Sequence, residues 1–189
     1  MKLPTFFGDR NKAAMSHPRE AEKVKLISSI FSPEESLIDK VISHMANTFG
    51  PTDWLSPPLH FDRTRYYEKE MGWPLHRRFV AFEQLIQPDH IVQIKLETNG
   101  FEHLYENSGR RSVNIDPGYI SLERLVLATG KNYTHRIYLS YGIYADLTLV
   151  YQKGSFQPLV WTFKDYADRD VIQWFNVLRE RYKGQLRGL

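Results

Sequence analysis

The chain has no cysteine among its 189 residues. That absence excludes disulfides, thiolate nucleophiles and thiolate metal sites together, and it suits a reducing compartment. No apolar run approaches the ~20 residues that a membrane-spanning helix needs. No apolar stretch follows the basic residues between Met1 and Lys25, as one would in a signal peptide. The sequence therefore reads as cytoplasmic, with no membrane partner. Histidines are scattered: His44, His60, His76, His90 and His103 form neither H-x-x-x-H nor H-E-x-x-H. The string G-x-S-x-G is also missing. No metal and no cofactor are expected.

What is present is a globular composition, 42% hydrophobic and 14% aromatic, in a length that suits one domain. Residues 1–22 show no apolar period and contain Pro4, Gly8 and Pro18, so they are expected to form a mobile N-terminal arm. Residues 23–189 are expected to form a single α+β domain. The formal charge is +3. Basic residues crowd both termini and a middle cluster of Arg110, Arg111, Lys131 and Arg136, a distribution that suits a polyanionic partner.

Periodicity supplies the elements. Val24 to Phe31 reads as a strand. Ser32, Pro33 and Glu35 read as a capping box opening a helix with Leu37, Ile38, Val41, Ile42 and Met45 on one face, ended by Gly50 and Pro51. The prolines of Trp54–Phe61 restrict it to an edge strand or extended segment, and Arg63–Gly72 reads as an excursion. Arg78–Ile86 reads as a strand. Pro88 to about Glu106 reads as a helix that Asn99-Gly100 threatens to break. Ser112–Asp116 reads as a short strand closed by an Asp116-Pro117-Gly118 turn. This order, βαββαβ, predicts an antiparallel sheet with a ferredoxin-like core and two helices on one face. Appended to it are a short helix over Ser121–Ala128, a β-hairpin turning at Tyr141-Gly142, an added strand within Phe156–Trp161, and a C-terminal helix. That helix starts near Asp168, buries Val171, Trp174, Phe175, Leu178 and Tyr182, and ends at Gly184.

Several longer motifs point the same way. They are Tyr66-Tyr67-Glu68-Lys69-Glu70-Met71-Gly72, Val113-Asn114-Ile115-Asp116-Pro117-Gly118-Tyr119, His135-Arg136-Ile137-Tyr138-Leu139, Gly142-Ile143-Tyr144-Ala145, and Phe156-Gln157-Pro158 with Trp161. From Val24 to Tyr182 the chain resembles a bacterial domain-of-unknown-function family, number 4416, whose members are often labelled GTP-binding proteins. The resemblance implies no established activity. A P-loop needs a glycine-rich turn ending in Gly-Lys-Ser/Thr to wrap phosphates with backbone N–H groups. Here Gly130-Lys131 is followed by Asn132 and lacks that glycine cradle. Any nucleotide must therefore be held by another route.

The candidate ligand site is Arg111, Asn114, Asp116, Tyr119, Lys131, His135, Arg136 and Tyr138. Alternation puts Asn114 and Asp116 on one strand face. The supposed helix at Ser121 would offer its N-terminal amides to an anion. Arginine provides a planar fork for phosphate or carboxylate, and histidine titrates near neutrality. Competing with this is a structural reading, in which Asp116 caps its own turn and Asp146 pairs with Arg136 across the hairpin. The favoured partner is a small anionic ligand, phosphorylated or nucleotide-like, in a polar pocket near Asp116-Pro117-Gly118-Tyr119. The alternative is an RNA- or protein-binding module that uses basic termini and exposed tyrosines.

Overall fold

The computed structural model describes residues 18–62, 65–107 and 109–188. Most of the expected N-terminal arm lies outside the described residues; Pro18 to Lys23 have no regular secondary structure. Nine strands form one sheet: β1 (Val24–Ser32), β2 (Thr52–Leu55), β3 (Leu59–His60), β4 (His76–Ile86), β5 (Asn114–Ile120), β6 (Arg124–Thr129), β7 (Arg136–Ser140), β8 (Ile143–Gln152) and β9 (Ser155–Pro158). Their order is β2-β4-β1-β5-β6-β8-β7, with β3 on β4 and β9 on β8. Each pairing is antiparallel.

Among the described residues four α-helices dress this sheet: α1 (Glu35–Phe49), the single turn α2 (Glu68–Met71), α3 (Ile91–Leu104) and α4 (Arg169–Leu186). The first face of the sheet is covered by α1 and α3. Ile38, Val41, Ile42 and Met45 recur at helical spacing, and they pack with Ile91 and Ile94 on Leu26, Ile30, Val80 and Ile115. The second face is covered by α4, whose Val171, Phe175, Leu178 and Tyr182 pack on Ile27, Phe79, Leu125 and Leu149. Phe79 meets both Tyr166 and Phe175 edge-on, with ring centres 5.4 Å apart in each case. Each such fully buried ring is worth about 1.5–3 kcal/mol. β1 lies inside the sheet between β4 and β5, and all nine of its residues are buried.

Several expectations are corrected. Ser32 is not a helix cap: it ends β1, and its Oγ accepts the Glu34 N–H at 3.0 Å while donating to Ser112 O. The helix that follows has no side-chain cap. Asn99-Gly100 does not break α3, and Gly184 lies inside α4. Most consequential, Asp116-Pro117-Gly118 is not a turn but the middle of β5, and Ser121–Ala128 is not a helix but the turn into β6 and most of that strand. Ser121 behaves as a cap would, its Oγ accepting the N–H groups of Glu123 and Arg124, yet the turn it stabilises is a hairpin closed by Ser121 N–H to Arg124 O. The hairpin between β7 and β8 turns where expected, with φ of 50° at Tyr141 and 76° at Gly142, the left-handed pair that two-residue hairpins favour. No helix among the described residues is long and apolar enough to cross a membrane.

Candidate functional site

The sheet splits between β5 and β6. β5 pairs with β1 along its whole length, from Asn114 to Ile120. It pairs with β6 only over Gly118–Ile120, opposite Leu125–Leu127. At Gly118 the two backbones approach so closely that an added Cβ would lie 2.4 Å from the Val126 carbonyl oxygen. One residue earlier, Pro117 has no N–H with which to continue the ladder. In an antiparallel strand, residues two apart turn their backbone groups to the same edge, so Ile115 faces the side that β6 has left. α3 fills that role with side chains. The Ile115 N–H donates to Glu102 Oε1 at 2.7 Å, and its carbonyl accepts from Lys95 Nζ at 2.7 Å. β6 meanwhile runs on through Ala128 and Thr129, paired with β8.

A cavity of about 810 Å³ opens where the strands part. On the β5 side, Asn114 and Asp116 share the face opposite Ile115, with Asn114 Nδ2 donating to Asp116 Oδ2 at 2.8 Å. Arg111 donates to Asn114 Oδ1 at 2.7 Å, to Glu70 at 2.8 Å and to Glu102 at 3.3 Å. Lys95 Nζ lies 4.0 Å from both Glu102 and Asp116. On the β8 side, Asp146 is buried and accepts from Arg136 Nε at 2.8 Å. Arg136 also donates to the Lys131 carbonyl at 2.9 Å. At the base, Arg77 is buried, paired with Asp165, and lies 3.9 Å from the centre of the Phe61 ring. Lys131 and Lys164 line the cavity as exposed side chains, and the Lys131 ammonium sits 5.3 Å from the Tyr66 ring centre.

Burial tunes the site. It raises the Glu102 carboxyl above its ordinary range, with Lys95 opposing. It pushes the Tyr67 hydroxyl up to about 12, with Asp116 adding to the effect. The Tyr166 hydroxyl is also raised, mainly by burial, so it stays protonated. A second cavity of about 390 Å³ shares Phe61, Arg77 and Asp165 with the first.

Five of the eight residues chosen from sequence line the larger cavity: Arg111, Asn114, Asp116, Lys131 and Arg136. The other three are not on its wall. Tyr119 packs with the core under α1 and α3. Tyr138 is 58% exposed and sits edge-on to Tyr144. His135 stacks on Trp161 and lies 3.3 Å from Asp146, behind Arg136. The expected anion site at a Ser121 helix N-terminus does not exist, because that segment is not helical. Arg77 was read as part of a structural loop and left out of the candidate set, and sequence reasoning missed Lys95, Glu102, Lys164 and Tyr166. For Lys95 and Glu102 a signal was present: with Ile91, Ile94 and Thr98 they occupy the buried stripe of α3, where a charge demands a partner.

Among the described residues no group of three or more His, Cys, Asp or Glu side chains is placed to hold a metal ion. An α+β protein with a largely antiparallel sheet opened over a charged cavity is the class that this architecture defines. The chain belongs to the family described as Domain of unknown function (DUF4416), whose model matches residues 22–182. Searches of the curated proteins and of the solved structures find no match.

Proposed function

We propose that this protein binds a small anionic ligand, phosphorylated or nucleotide-like, in the cavity where β5 and β6 part. The observation that carries this reading is the charge of the wall. Six cationic side chains face four carboxylates. Each carboxylate already has a cation within 4.0 Å: Arg111 for Glu102, Lys95 for Asp116, Arg136 for Asp146 and Arg77 for Asp165. Among the described residues Lys131 and Lys164 have no carboxylate partner, so the surplus charge sits on the exposed rim, where it draws an anion. The volume falls in the range of small-molecule sites. In this reading Arg111 and Asn114 orient Asp116 toward a donor on the ligand. His135 and Arg136 share Asp146, which makes His135 a support and leaves Tyr119 and Tyr138 outside the site.

The finer reading of the fold, a ferredoxin-like core inside one domain, is supported by the strand order β2-β4-β1-β5 and by α1 and α3 on a common face. A cytoplasmic location fits the absence of cysteine. The test of function is a thermal-shift screen with inorganic phosphate, pyrophosphate, sugar phosphates and nucleotides, because a ligand of the folded state raises Tm. At least one anion is expected to raise Tm in the wild type and to lose most of that effect in Lys131→Ala. No rise with any of them overturns the proposal. Lys131 reports better than Arg136, whose removal would also leave Asp146 buried with less charge compensation.

A second reading is favoured by one observation. On the end strand β7, Ile137 is 69% and Tyr138 58% exposed, and Tyr141 beyond it is 81% exposed. These side chains suit an RNA- or protein-binding face, although much of the basic N-terminus lies outside the described residues. Salt-sensitive retention of single-stranded RNA, lost in Tyr138→Ala with Tyr141→Ala, is the result that supports it.

A further inference from the structure

The base of the cavity holds hydrogen-bonding groups that the fold does not use. Tyr166 is 2% exposed and lines the cavity, and its hydroxyl has no partner other than the Ser29 hydroxyl. Arg77 is 4% exposed, and although Nη1 engages Asp165, its Nε–H has no acceptor. Arg111 Nε, on the cavity wall, is also without an acceptor. Behind them Ser29, 1% exposed, has no partner for its Oγ other than that tyrosine hydroxyl. It is registered opposite Asp116 on one side and Phe79 on the other. Buried polar groups are nearly always paired, and a group left unpaired lowers stability. Their gathering at one base therefore marks a place that a ligand completes.

The required chemistry is mixed. The two arginine Nε–H groups only donate, the Asp116 carboxylate only accepts, and the tyrosine hydroxyl does both. Alcohol groups meet all three demands, since each donates once and accepts twice. Inorganic phosphate is chiefly an acceptor and offers little to Asp116. A flat base would be best served by parallel rings, but the ring pairs on this wall are inclined. Tyr66 and Tyr67 meet at 87°, Phe61 and Tyr67 at 43°, and Phe163 and Tyr166 at 49°.

We infer that the ligand is a phosphorylated polyol, its phosphate drawn by Lys131 and Lys164 and its hydroxyls read by Tyr166, Arg77 and Asp116. This rests on the anion-binding reading above and adds to it the class of molecule. The cations at the mouth supply attraction, and the groups at the base supply selection against bare phosphate.

The experiment is calorimetric titration of the wild type, Tyr166→Phe and Lys131→Ala with glucose 6-phosphate, ribose 5-phosphate, inorganic phosphate and adenosine monophosphate. A sugar phosphate is expected to bind at least about tenfold more tightly than inorganic phosphate. Tyr166→Phe removes most of that advantage and leaves the inorganic phosphate affinity unchanged. Its Tm changes little, because the lost hydroxyl meets only Ser29 within the fold, and this separates recognition from scaffolding. Lys131→Ala weakens every probe that binds. Equal affinity for sugar phosphates and inorganic phosphate overturns the polyol site while leaving the anion site standing. So does tightest binding of adenosine monophosphate that Tyr166→Phe does not alter. Binding of none of the four to the wild type overturns this inference and counts equally against the anion site.

Discussion

At its Tyr119 end β5 is held by a strand, and at its Ile115 end it is held by two side chains. The first end is cheap to build: backbone meets backbone, and only a glycine at 118 is needed for the close approach. The second end is more demanding. Lys95 and Glu102 are both buried, and each presents a formal charge to a peptide group. The strand end leaves no room beside β5, whereas the side-chain end leaves an 810 Å³ cavity. Replacing a strand by a helix's polar side chains thus opens a sheet without orphaning its backbone, and it brings charge to the opening.

The sharpest way to break this comparison is Glu102→Ala. It removes the acceptor of the Ile115 N–H and leaves Lys95 and Arg111 short of compensation. An unfolding cost of about 3–5 kcal/mol is expected by urea denaturation. Gly118→Ala attacks the other end. Its Cβ would meet fixed backbone as well as a Leu127 methyl at 2.7 Å, so a loss of about 1–3 kcal/mol is expected. A gentler probe is Glu102→Gln across a pH series. Because burial raises the Glu102 pKa in the folded state, its contribution is full below the unfolded carboxylate value. It is lost as pH rises through the raised value. The glutamine variant should lose that part of the stability–pH slope, which denaturation at several pH values measures. The smallest effect belongs to Pro117→Ala, expected to change stability by less than about 1 kcal/mol. The amide created at position 117 should exchange quickly with solvent, because α3 holds the neighbouring edge. Slow exchange would mean that the ladder had extended and that proline alone kept the strands apart.

Much of the fold was legible because its periods are strong. The stripes of α1 and α4, the uniformly buried β1 and the Tyr141-Gly142 hairpin follow from local rules. The segment from Asp116 to Ala128 did not, for a physical reason. Asp-Pro-Gly is turn chemistry in isolation, but here β1 pairs along one edge and overrides it. Leu125, Val126, Leu127 and Ala128 form a continuous buried run, a pattern that periodicity cannot assign between helix and strand. The candidate site was half legible for the same reason. Asn114 and Asp116 were found by alternation within one strand, whereas Arg111 was chosen for its charge and reaches Asn114 from outside β5. Arg77 and Tyr166 reach the cavity from β4 and from the turn before α4, a meeting that only the tertiary fold creates.

The tie between α4 and the start of β1 has a consequence for how the molecule is made. The Tyr182 hydroxyl donates to the Lys23 carbonyl across 159 residues of sequence. Gln185 reaches both Lys25 and the Glu83 carbonyl. On a ribosome, Ile27, Phe79 and Leu125 emerge long before the helix that covers them. While residues 169–186 are still being added, at about 5–20 residues per second, a nascent chain carries its second sheet face bare. That interval is where a chaperone would find this protein, and a message cut short before Arg169 would yield a chain that never leaves it.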